Sequence, residues 1–426
     1  MATPTRDGSE LVGRRALAVV DEALRGFRCV VVHGPRQSGK TTLARLIASR
    51  PGANFHTLDD APEREAASAD PDGYVAAGAS PLVIDEIQRV GDPLVLAIKS
   101  AVDKDRRPGQ FLLTGSTNFL TVPTISETLA GRTDIVELWP LAQCEIEGTP
   151  GDFIERAFAA GAPGLIEHRA DPLSRADYFE AICRGGFPEV QSMTERTRRR
   201  WFARYVDTVL DREVEVVADI RRREALDAMV RLMAATTAQE LVVSKLARRL
   251  GITRETAESY EPWLERVFLV TRVPAWGRGL TAKIVRRPKT YVVDTGLAAA
   301  LVGRDAAALA RPTEPTAGPL IETLAASELL RQLTWSDVEA RLQHLRDSDG
   351  HEVDLVLEAV DGRIVGIEVK ASASPRADDF RGLTFLRDRL DQVGVPFIAG
   401  VVAHTGTRRS SFGDRLAAIP LSDLWR

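Results

Sequence analysis

The segment Gly34 to Thr41 constrains this chain more than any other feature, because it follows the phosphate-binding pattern GxxxxGK[ST]. The apolar run CVVVH precedes it and the helical run TTLARLIAS follows it, which is the strand, loop and helix context that this pattern requires. Glycines allow the backbone N–H groups and the positive end of the helix to face a phosphate. The predicted nucleotide-binding residues are Gly34, Pro35, Arg36, Gln37, Ser38, Gly39, Lys40, Thr41 and Thr42.

A second motif, PLVIDEIQ, is an apolar strand that ends in Asp85 and Glu86. In a nucleotide site, Lys40 supplies a charge for the β- and γ-phosphates, and Thr41 and Asp85 hold Mg²⁺. Glu86 is then placed to polarise the attacking water. The two motifs together predict that ATP and Mg²⁺ bind here and that ATP is hydrolysed.

Two further candidates follow along the chain. The strand FLLTGSTNF ends in polar residues, of which Ser116 or Asn118 could sense the γ-phosphate or simply cap a helix. In LAGRTDIVEL, Arg132 precedes another strand, where its guanidinium could act on the γ-phosphate of a neighbouring subunit or be a surface charge. Both alternatives stay open for each candidate.

The order of β-like and helical runs indicates an α/β protein with several domains. Between residues 14 and 140 the two kinds of run alternate, which predicts a parallel sheet covered by helices. A length of 426 residues also exceeds what one hydrophobic core supports. The predicted domains are an ATPase core at 1–145, a helical lid or connector at 146–238, a winged-helix-like domain at 239–303 and a nuclease-like α/β domain at 318–426, after a linker at 304–318.

The motifs GPRQSGKTTLAR, LVIDEIQ, LLTGSTNF and LAGR, in this order, resemble those of AAA-type ATPases. With GGFPEV, KTYVVDTGLAAALVG, GHEVDLVLE and GIEVKAS, the chain is similar to a bacterial and archaeal family that joins an AAA ATPase to a carboxy-terminal domain of unknown function. The resemblance implies a P-loop ATPase core, a winged helix and a restriction-endonuclease-like domain. It also implies a homo-oligomer, commonly a ring with ATP between neighbours, in which Arg132 would act in trans.

The stretch from Glu240 to Val270 has the pattern of a helix-turn-helix with a break at Gly251. Its buried face is predicted to contain Leu246, Ala247, Leu250, Ile252, Ala257, Tyr260 and Leu264. A hairpin at 268–293 would be the basic wing, through Arg272, Arg278, Lys283, Arg286, Arg287 and Lys289. With Thr253, Arg254 and Thr256 near the groove, this unit could bind DNA, or it could only pack against protein. The arginines at 196–204 and 221–223 alternate with acids, which favours a solvated helix face.

A set of acids and a lysine marks the carboxy-terminal region. Asp354 lies in one apolar run and Glu368 and Lys370 in the next, and the turn sequence DGR between them predicts a β-hairpin. Side chains alternate along a strand, so these three should share a face, with Glu322 added from a helix. The pattern resembles the acid and acid-x-lysine motif of restriction-endonuclease-like nucleases, which implies Mg²⁺ at Asp354 and Glu368. A surface hairpin, or a domain that binds without cleaving, is the alternative.

Composition restricts the partners and the location. A formal net charge of −4 argues against coating nucleic acid through bulk charge, so DNA contacts must be local. Three widely spaced cysteines and the absence of a long apolar run predict a cytoplasmic protein that does not enter membranes. Three functions remain: a DNA-binding motor or remodeller, as in repair or recombination, a nucleotide-gated regulator in a defence or toxin–antitoxin system, and a protein remodeller.

Overall fold

A computed structural model describes residues 11–76, 80–115, 131–214, 223–277 and 287–426. Contacts divide the chain into two units, one of residues 1–141 with 266–268 and one of residues 142–265 with 269–426. Several predicted functional residues lie outside the described ranges. They are Ser116, Asn118, Arg221, Arg222, Arg278, Lys283 and Arg286.

The first unit contains a five-stranded parallel sheet in the order β2-β3-β4-β1-β5. The strands are β1 Cys29–His33, β2 Asn54–Thr57, β3 Leu82–Asp85, β4 Phe111–Gly115 and β5 Thr133–Glu137. The helices are α1 Ala16–Gly26, α2 Lys40–Ala48, α3 Ala61–Ala69, α4 Pro71–Ala76 and α5 Asp92–Lys104. Val31, Ile84 and Leu113 pack under α3, α4 and α5, while neighbouring strand residues pack under α1 and α2. Helices therefore cover both faces, which confirms the predicted α/β class.

The second unit carries most of the helices. They are α6 Gln143–Glu147, α7 Phe153–Glu167, α8 Arg175–Arg184, α9 Glu195–Val214, α10 Arg223–Ala235, α11 Val243–Leu250, α12 Arg254–Arg266, α13 Thr295–Leu301, α14 Ala306–Leu309, α15 Ala317–Gln332 and α16 Arg381–Gln392. The expected linker at 304–318 is partly helical, because Asp305 caps α14 through the N–H of Ala308.

A small sheet lies within the helical region. Its strands are β6 Gln239–Glu240, β7 Val270–Val273 and β8 Lys289–Val292, with β8 in the centre. Helices α11 and α12 are separated at Gly251, whose φ of 63° is in the left-handed region that glycine adopts most easily. The chain therefore runs from helix α10 through a strand and two helices to an antiparallel hairpin, as the pattern at 239–293 predicts.

The carboxy-terminal region is a six-stranded mixed sheet in the order β13-β14-β12-β11-β10-β9. The strands are β9 Ala340–Arg346, β10 Glu352–Ala359, β11 Ile364–Lys370, β12 Phe397–His404, β13 Ser410–Ser411 and β14 Leu416–Pro420. Strands β10 and β11 form the predicted antiparallel hairpin, with Leu355 opposite Ile367. Helix α16 connects β11 to the parallel strand β12 and packs on the sheet through Leu383, Leu386 and Leu390.

Candidate nucleotide site and carboxylate cluster

The loop between β1 and α2 has the backbone of a phosphate cradle. Gly34, Gln37 and Gly39 have φ angles of 154°, 61° and 99°, so the chain turns sharply before Lys40 begins the helix. A Cβ atom on Gly34 would lie 2.3 Å from the carbonyl oxygen of Leu138, which leaves room for no side chain there. The glycine requirement of the motif thus has a packing cause as well as a conformational one.

Lys40 is almost fully buried and is held by the loop itself. Its Nζ donates hydrogen bonds to the carbonyl oxygens of Gly34 at 3.0 Å and Pro35 at 2.7 Å. Burial lowers the pKa of Lys40 to about 8, against the opposing effect of Glu86. The hydroxyl of Ser38 is also buried and has no hydrogen-bond partner in the described part of the chain. A cation and an unsatisfied hydroxyl in one loop fit an anionic phosphate.

Asp85, at the end of β3, is the centre of a cluster of threonines. The hydroxyl of Thr41 donates to its Oδ1 and Oδ2 atoms at 3.2 and 3.1 Å, so the two predicted magnesium ligands are in contact. Thr114 donates to Oδ1, and Thr57 donates to Oδ2 at 3.3 Å. Hydroxyl and carboxylate oxygens together are a donor set that suits Mg²⁺.

Sequence reasoning missed Thr57 and Thr114. Both lie at or near the carboxyl ends of the strands that flank β3, where the side chains of parallel strands converge. For Thr114 the available indication was a polar residue near the end of an otherwise apolar strand, FLLTG. Thr114 therefore supports Asp85 from the neighbouring strand.

Glu86 has an unusual backbone conformation, and its carboxylate accepts a hydrogen bond. Its φ of 58° is rare for a residue with a side chain, and its N–H donates to the Thr114 hydroxyl at 3.2 Å. Gln88, in the turn that follows, donates from Nε2 to Oε2 of Glu86. Gln88 was also missed from the sequence, and it contacts one oxygen of the Glu86 carboxylate.

Two arginines of the first unit lie at opposite ends of the parallel strands: Arg14 contacts the phosphate loop, whereas Arg132 lies at the amino end of β5. Arg132 directly precedes β5, as expected, and its Nε donates to Asp103 Oδ1 at 2.5 Å, with 31% of its side chain exposed. Arg14 donates to the backbone oxygens of Ser38 at 2.8 Å and Trp139 at 2.6 Å, so it braces the phosphate loop. Arg14 was not identified from the sequence, because it lies outside every motif.

The predicted carboxyl residues of the second unit also come together. Asp354 and Glu368 lie on adjacent strands, and the N–H of Asp354 is 3.4 Å from Oε2 of Glu368. Lys370 donates to Glu368 Oε1 at 2.7 Å. Helix α15 brings Glu322 to the same place, where Tyr291 donates to its Oε1 at 2.8 Å. We call these residues, with Glu352 and Lys289, the carboxylate cluster.

Lys289 corrects one prediction from the sequence. It was expected to contact phosphates from the wing, but only 2% of its side chain is exposed. Its Nζ lies 2.9 Å from Glu322 Oε1, 3.0 Å from Glu352 Oε1 and 3.0 Å from Asp354 Oδ1. A buried ammonium is stable only when it is paired, so the lysine faces inward to these acids rather than outward. Arg272 of the same hairpin is likewise paired, with Glu265 and Glu261.

The protonation of the cluster follows from burial and from Lys289. Burial would lower the pKa of Lys289, but Asp354 and Glu322 raise it well above its usual value. Burial and the charge of Asp354 raise the pKa of Glu322 to about 8. Burial opposes the effect of Lys289 on Asp354, whose pKa is nevertheless lowered. The ammonium of Lys289 therefore already neutralises Asp354, the acid that a metal ion would need most.

This arrangement does not fit a divalent metal. Both oxygens of Asp354 are engaged, Oδ1 by Lys289 and Oδ2 by the N–H of Val369 at 3.0 Å. Within the five described ranges, no group of three or more His, Cys, Asp or Glu side chains is arranged to hold a metal ion. The magnesium predicted at Asp354 and Glu368 therefore has no free ligand set in this arrangement.

Comparison with known families identifies the parts of the chain. Residues 26–147 match an AAA domain, residues 175–308 match a domain of unknown function (DUF8612) and residues 317–424 match a further domain of unknown function (DUF4143). The chain thus carries an AAA-type P-loop ATPase domain and a carboxy-terminal domain of unknown function. The resemblance to an AAA domain joined to a carboxy-terminal domain of unknown function is confirmed by these matches.

Individual relatives add little about function. Uncharacterized proteins of Mycobacterium tuberculosis and Mycobacterium bovis are each 27% identical over 430 residues, covering 100% of this chain and 87% of theirs. Among solved structures, a Walker-type ATPase of Pyrococcus abyssi aligns with a TM-score of 0.42 at 14% identity, over 71% of this chain and 98% of that one. The Thermotoga maritima RuvB Holliday junction branch migration motor aligns with a TM-score of 0.30 at 21% identity, over 64% and 93%. These TM-scores are low, so nothing about function is taken from either structure.

Among the helices of the described residues, none is both long and apolar enough to cross a membrane.

Proposed function

We propose that this chain binds ATP with Mg²⁺ at the loop 34–42 and hydrolyses it. The observation that carries the proposal is the contact of Thr41 with Asp85 beside the buried Lys40. The match of residues 26–147 to an AAA domain supports hydrolysis. ATP is therefore the substrate, and the phosphate-loop residues Gly34 to Thr42 are its binding residues.

Each side chain has a separate role. Lys40 exchanges its bonds to the carbonyl oxygens of Gly34 and Pro35 for phosphate oxygens, which keeps its three donors in use. Thr41 and Asp85 hold Mg²⁺, which when bound supplies a Lewis acid that withdraws charge from the phosphates. Thr114 fixes Asp85 and the backbone of Glu86 at once.

Glu86 is the proposed general base. Its carboxylate orients water and accepts a proton from it, a role that contributes on the order of 10²–10⁴-fold to a rate. Gln88 holds one carboxylate oxygen of Glu86, so Gln88 is a positioning residue rather than a catalytic one. A γ-phosphate sensor at Ser116 would complete the site, and it remains a proposal because that residue lies outside the described ranges.

Steady-state ATP turnover and nucleotide affinity test this assignment. Lys40→Ala should weaken ATP binding roughly tenfold to a hundredfold, whereas Glu86→Gln should retain binding and lose turnover on the order of 10²–10⁴-fold. Glu65→Gln makes the same chemical change at an exposed acid in α3 and should leave turnover unaltered. Normal turnover by Glu86→Gln would remove Glu86 from the mechanism.

We further propose that the active form is a homo-oligomer in which Arg132 contacts the ATP of a neighbour. The guanidinium of Arg132 supports the role, because 31% of its side chain is exposed and its ion pair with Asp103 lies at the protein surface. Arg132→Ala should abolish turnover with ATP affinity nearly intact. Asp103→Ala breaks the same ion pair but keeps the arginine, so equal losses in both variants would contradict action in trans.

DNA binding is the second candidate, and the exposed face of α11 favours it. The order of elements from α10 to β8 is that of a winged helix, and Lys245, Arg248 and Arg249 are exposed on α11. The start of α12 is less basic, because Arg254 is paired with Glu258 at 2.8 Å. Contacts to phosphates from α11 would therefore provide most of the affinity.

Charge reversal tests this candidate with a matched control. Changing Lys245, Arg248 and Arg249 to Glu should remove DNA affinity and flatten its salt dependence. Changing Arg196, Arg200 and Arg204 to Glu alters the net charge equally on the exposed face of α9, and should have little effect. If both triple variants lose affinity equally, the binding is unspecific attraction. ATP turnover that no DNA stimulates would favour a regulator or a protein remodeller instead.

A further inference from the structure

We infer that the ammonium of Lys289 is the resident cation of the carboxylate cluster, in the place where a nuclease of similar pattern would hold a divalent metal. The carboxy-terminal domain then contains an internal ion site and not a catalytic metal site. The site would then attach separate elements of the chain to one another, because Lys289 comes from β8 of the small sheet while its partners come from α15 and β10.

The first observation is stereochemical. A lysine ammonium has three N–H donors and no acceptor. Lys289 has three carboxylate oxygens at 2.9–3.0 Å, one each from Glu322, Glu352 and Asp354. Two of these contacts, to Glu322 and Asp354, are hydrogen bonds, and Glu352 adds an ion pair at 3.0 Å, so three acids surround the ammonium. Mg²⁺ would require about six oxygens at roughly 2.1 Å, a smaller and more crowded shell.

The second observation concerns the remaining oxygen atoms of the cluster. Oε1 of Glu322 accepts from Tyr291 as well as from Lys289, and Oδ2 of Asp354 accepts from the N–H of Val369. Lys370 holds Oε1 of Glu368. A metal that shared Asp354 Oδ1 with Lys289 would lie within about 5 Å of a positive charge, and the two cations would repel each other.

The third observation concerns the strand that carries Lys289. Strand β8 is the central strand of its sheet, where Lys289 is opposite Glu240 on one side and Val273 on the other. Tyr291, two residues along the same face, is fully buried. Strand pairing therefore fixes the backbone of Lys289, and its ammonium is held in the cluster by hydrogen bonds to Glu322 and Asp354 with only 2% of the side chain exposed.

A consequence is that the cluster joins three chain segments far apart in sequence. Lys289 is 33 residues from Glu322 and 65 residues from Asp354. The acids of this pattern then hold the charge of Lys289 and do not cleave phosphodiesters. The full chain should neither bind Mn²⁺ at Asp354 nor cut DNA there.

Binding of Mn²⁺ to the full chain without nucleotide, followed by electron paramagnetic resonance, tests the inference. Wild type and Asp354→Asn should bind the same number of Mn²⁺ ions. Lys289→Met, which keeps the length of the side chain and removes its charge, should bind one more ion per chain than wild type. Lys289→Met with Asp354→Asn should lose that extra ion.

Two results would overturn the inference. One is an Mn²⁺ ion in wild type that Asp354→Asn or Glu322→Gln removes. The other is a folded Lys289→Met protein that gains no ion, since the ammonium would then not be what excludes the metal. If Lys289→Met does not fold, wild type decides alone, in a cleavage assay with Mn²⁺ and branched, single-stranded and duplex DNA. Cleavage that Asp354→Ala abolishes would contradict the inference, and no cleavage would support it.

Discussion

Each of the two units buries a lysine beside acidic side chains, but the two ammonium groups have different partners and their pKa values are shifted in opposite directions. Lys40 is 5% exposed and donates to two backbone carbonyls, while burial lowers its pKa to about 8. Lys289 is 2% exposed and contacts three carboxylates, which raise its pKa well above the usual value against the effect of burial. Lys40 is incompletely paired and ready for an anionic ligand, whereas Lys289 already has its anions.

This difference separates the proposed phosphate-binding site from the inferred ion site of Lys289, although the two contain similar residue types. Neutral carbonyls compensate a buried charge only in part, so a phosphate gains from meeting Lys40. Carboxylates compensate it better than neutral carbonyls do, so another charged ligand at Lys289 would first have to displace them. The same substitution at both lysines therefore gives the sharpest test of the comparison.

The largest expected effect comes from comparing Lys40→Met with Lys289→Met, because one variant should mainly lose ATP affinity and the other mainly stability. Lys289→Met leaves buried carboxylates without their cation and should lower the free energy of unfolding by about 3–5 kcal/mol. Lys40→Met should change it by only about 1 kcal/mol, yet weaken ATP binding roughly tenfold to a hundredfold. Denaturant unfolding and ATP titration measure the two quantities. Equal stability losses would contradict the distinction between the sites.

The next effect is the pH dependence of ATP affinity. A phosphate favours the charged form of Lys40, so binding raises the pKa of Lys40 above its value of about 8 in the free protein. Below pH 8 the lysine is already protonated and the affinity should be constant. Above pH 8 binding must take up a proton, so Kd should increase about tenfold per pH unit until the pKa of the bound state is reached.

Lys40→Arg is the matched control for this pH dependence. Arginine stays protonated throughout the range, so the Kd of that variant, whatever its value at neutral pH, should not vary between pH 8 and pH 10. A parallel increase in both proteins would assign the titration to another group.

A smaller effect is expected from Thr114→Val, which replaces the hydroxyl by a methyl group of similar volume. The variant loses the bond to Asp85 and leaves the N–H of Glu86 without its acceptor. Turnover should fall about tenfold, equivalent to roughly 1.4 kcal/mol, with little change in ATP affinity. Thr323→Val removes a buried hydroxyl of the second unit, which contacts Thr237 and the oxygen of Pro319, and should leave turnover unaltered.

The smallest effect should come from Tyr291→Phe. It removes one hydrogen bond to Glu322 while Lys289 continues to pair with the same oxygen. The expected loss in the free energy of unfolding is about 1 kcal/mol, well below that of Lys289→Met. Comparable losses would indicate that the hydroxyl, and not the ammonium, stabilises the buried glutamate.

Much of the fold and of the nucleotide site was predictable because the relevant residues are neighbours in the chain. The strand before Gly34, the helix from Lys40 and the strand that ends at Asp85 all lie where the sequence patterns indicate. Thr114 and Gln88 were missed, because their roles depend on which strand lies beside β3 and on the backbone turn at Glu86. The hairpin of Asp354 and Glu368 was predicted correctly from its alternation and its turn.

By itself, the sequence determined the local elements: the phosphate loop, the alternation that makes a covered parallel sheet, and the acidic hairpin. Only the tertiary structure decided the environment of Lys289, which reads in the sequence as one of several basic residues in a wing. Whether a lysine faces water, phosphate or carboxylates depends on which distant segments pack around it. Here those segments are α15 and β10, and they turn a predicted contact to phosphate into a buried ion pair.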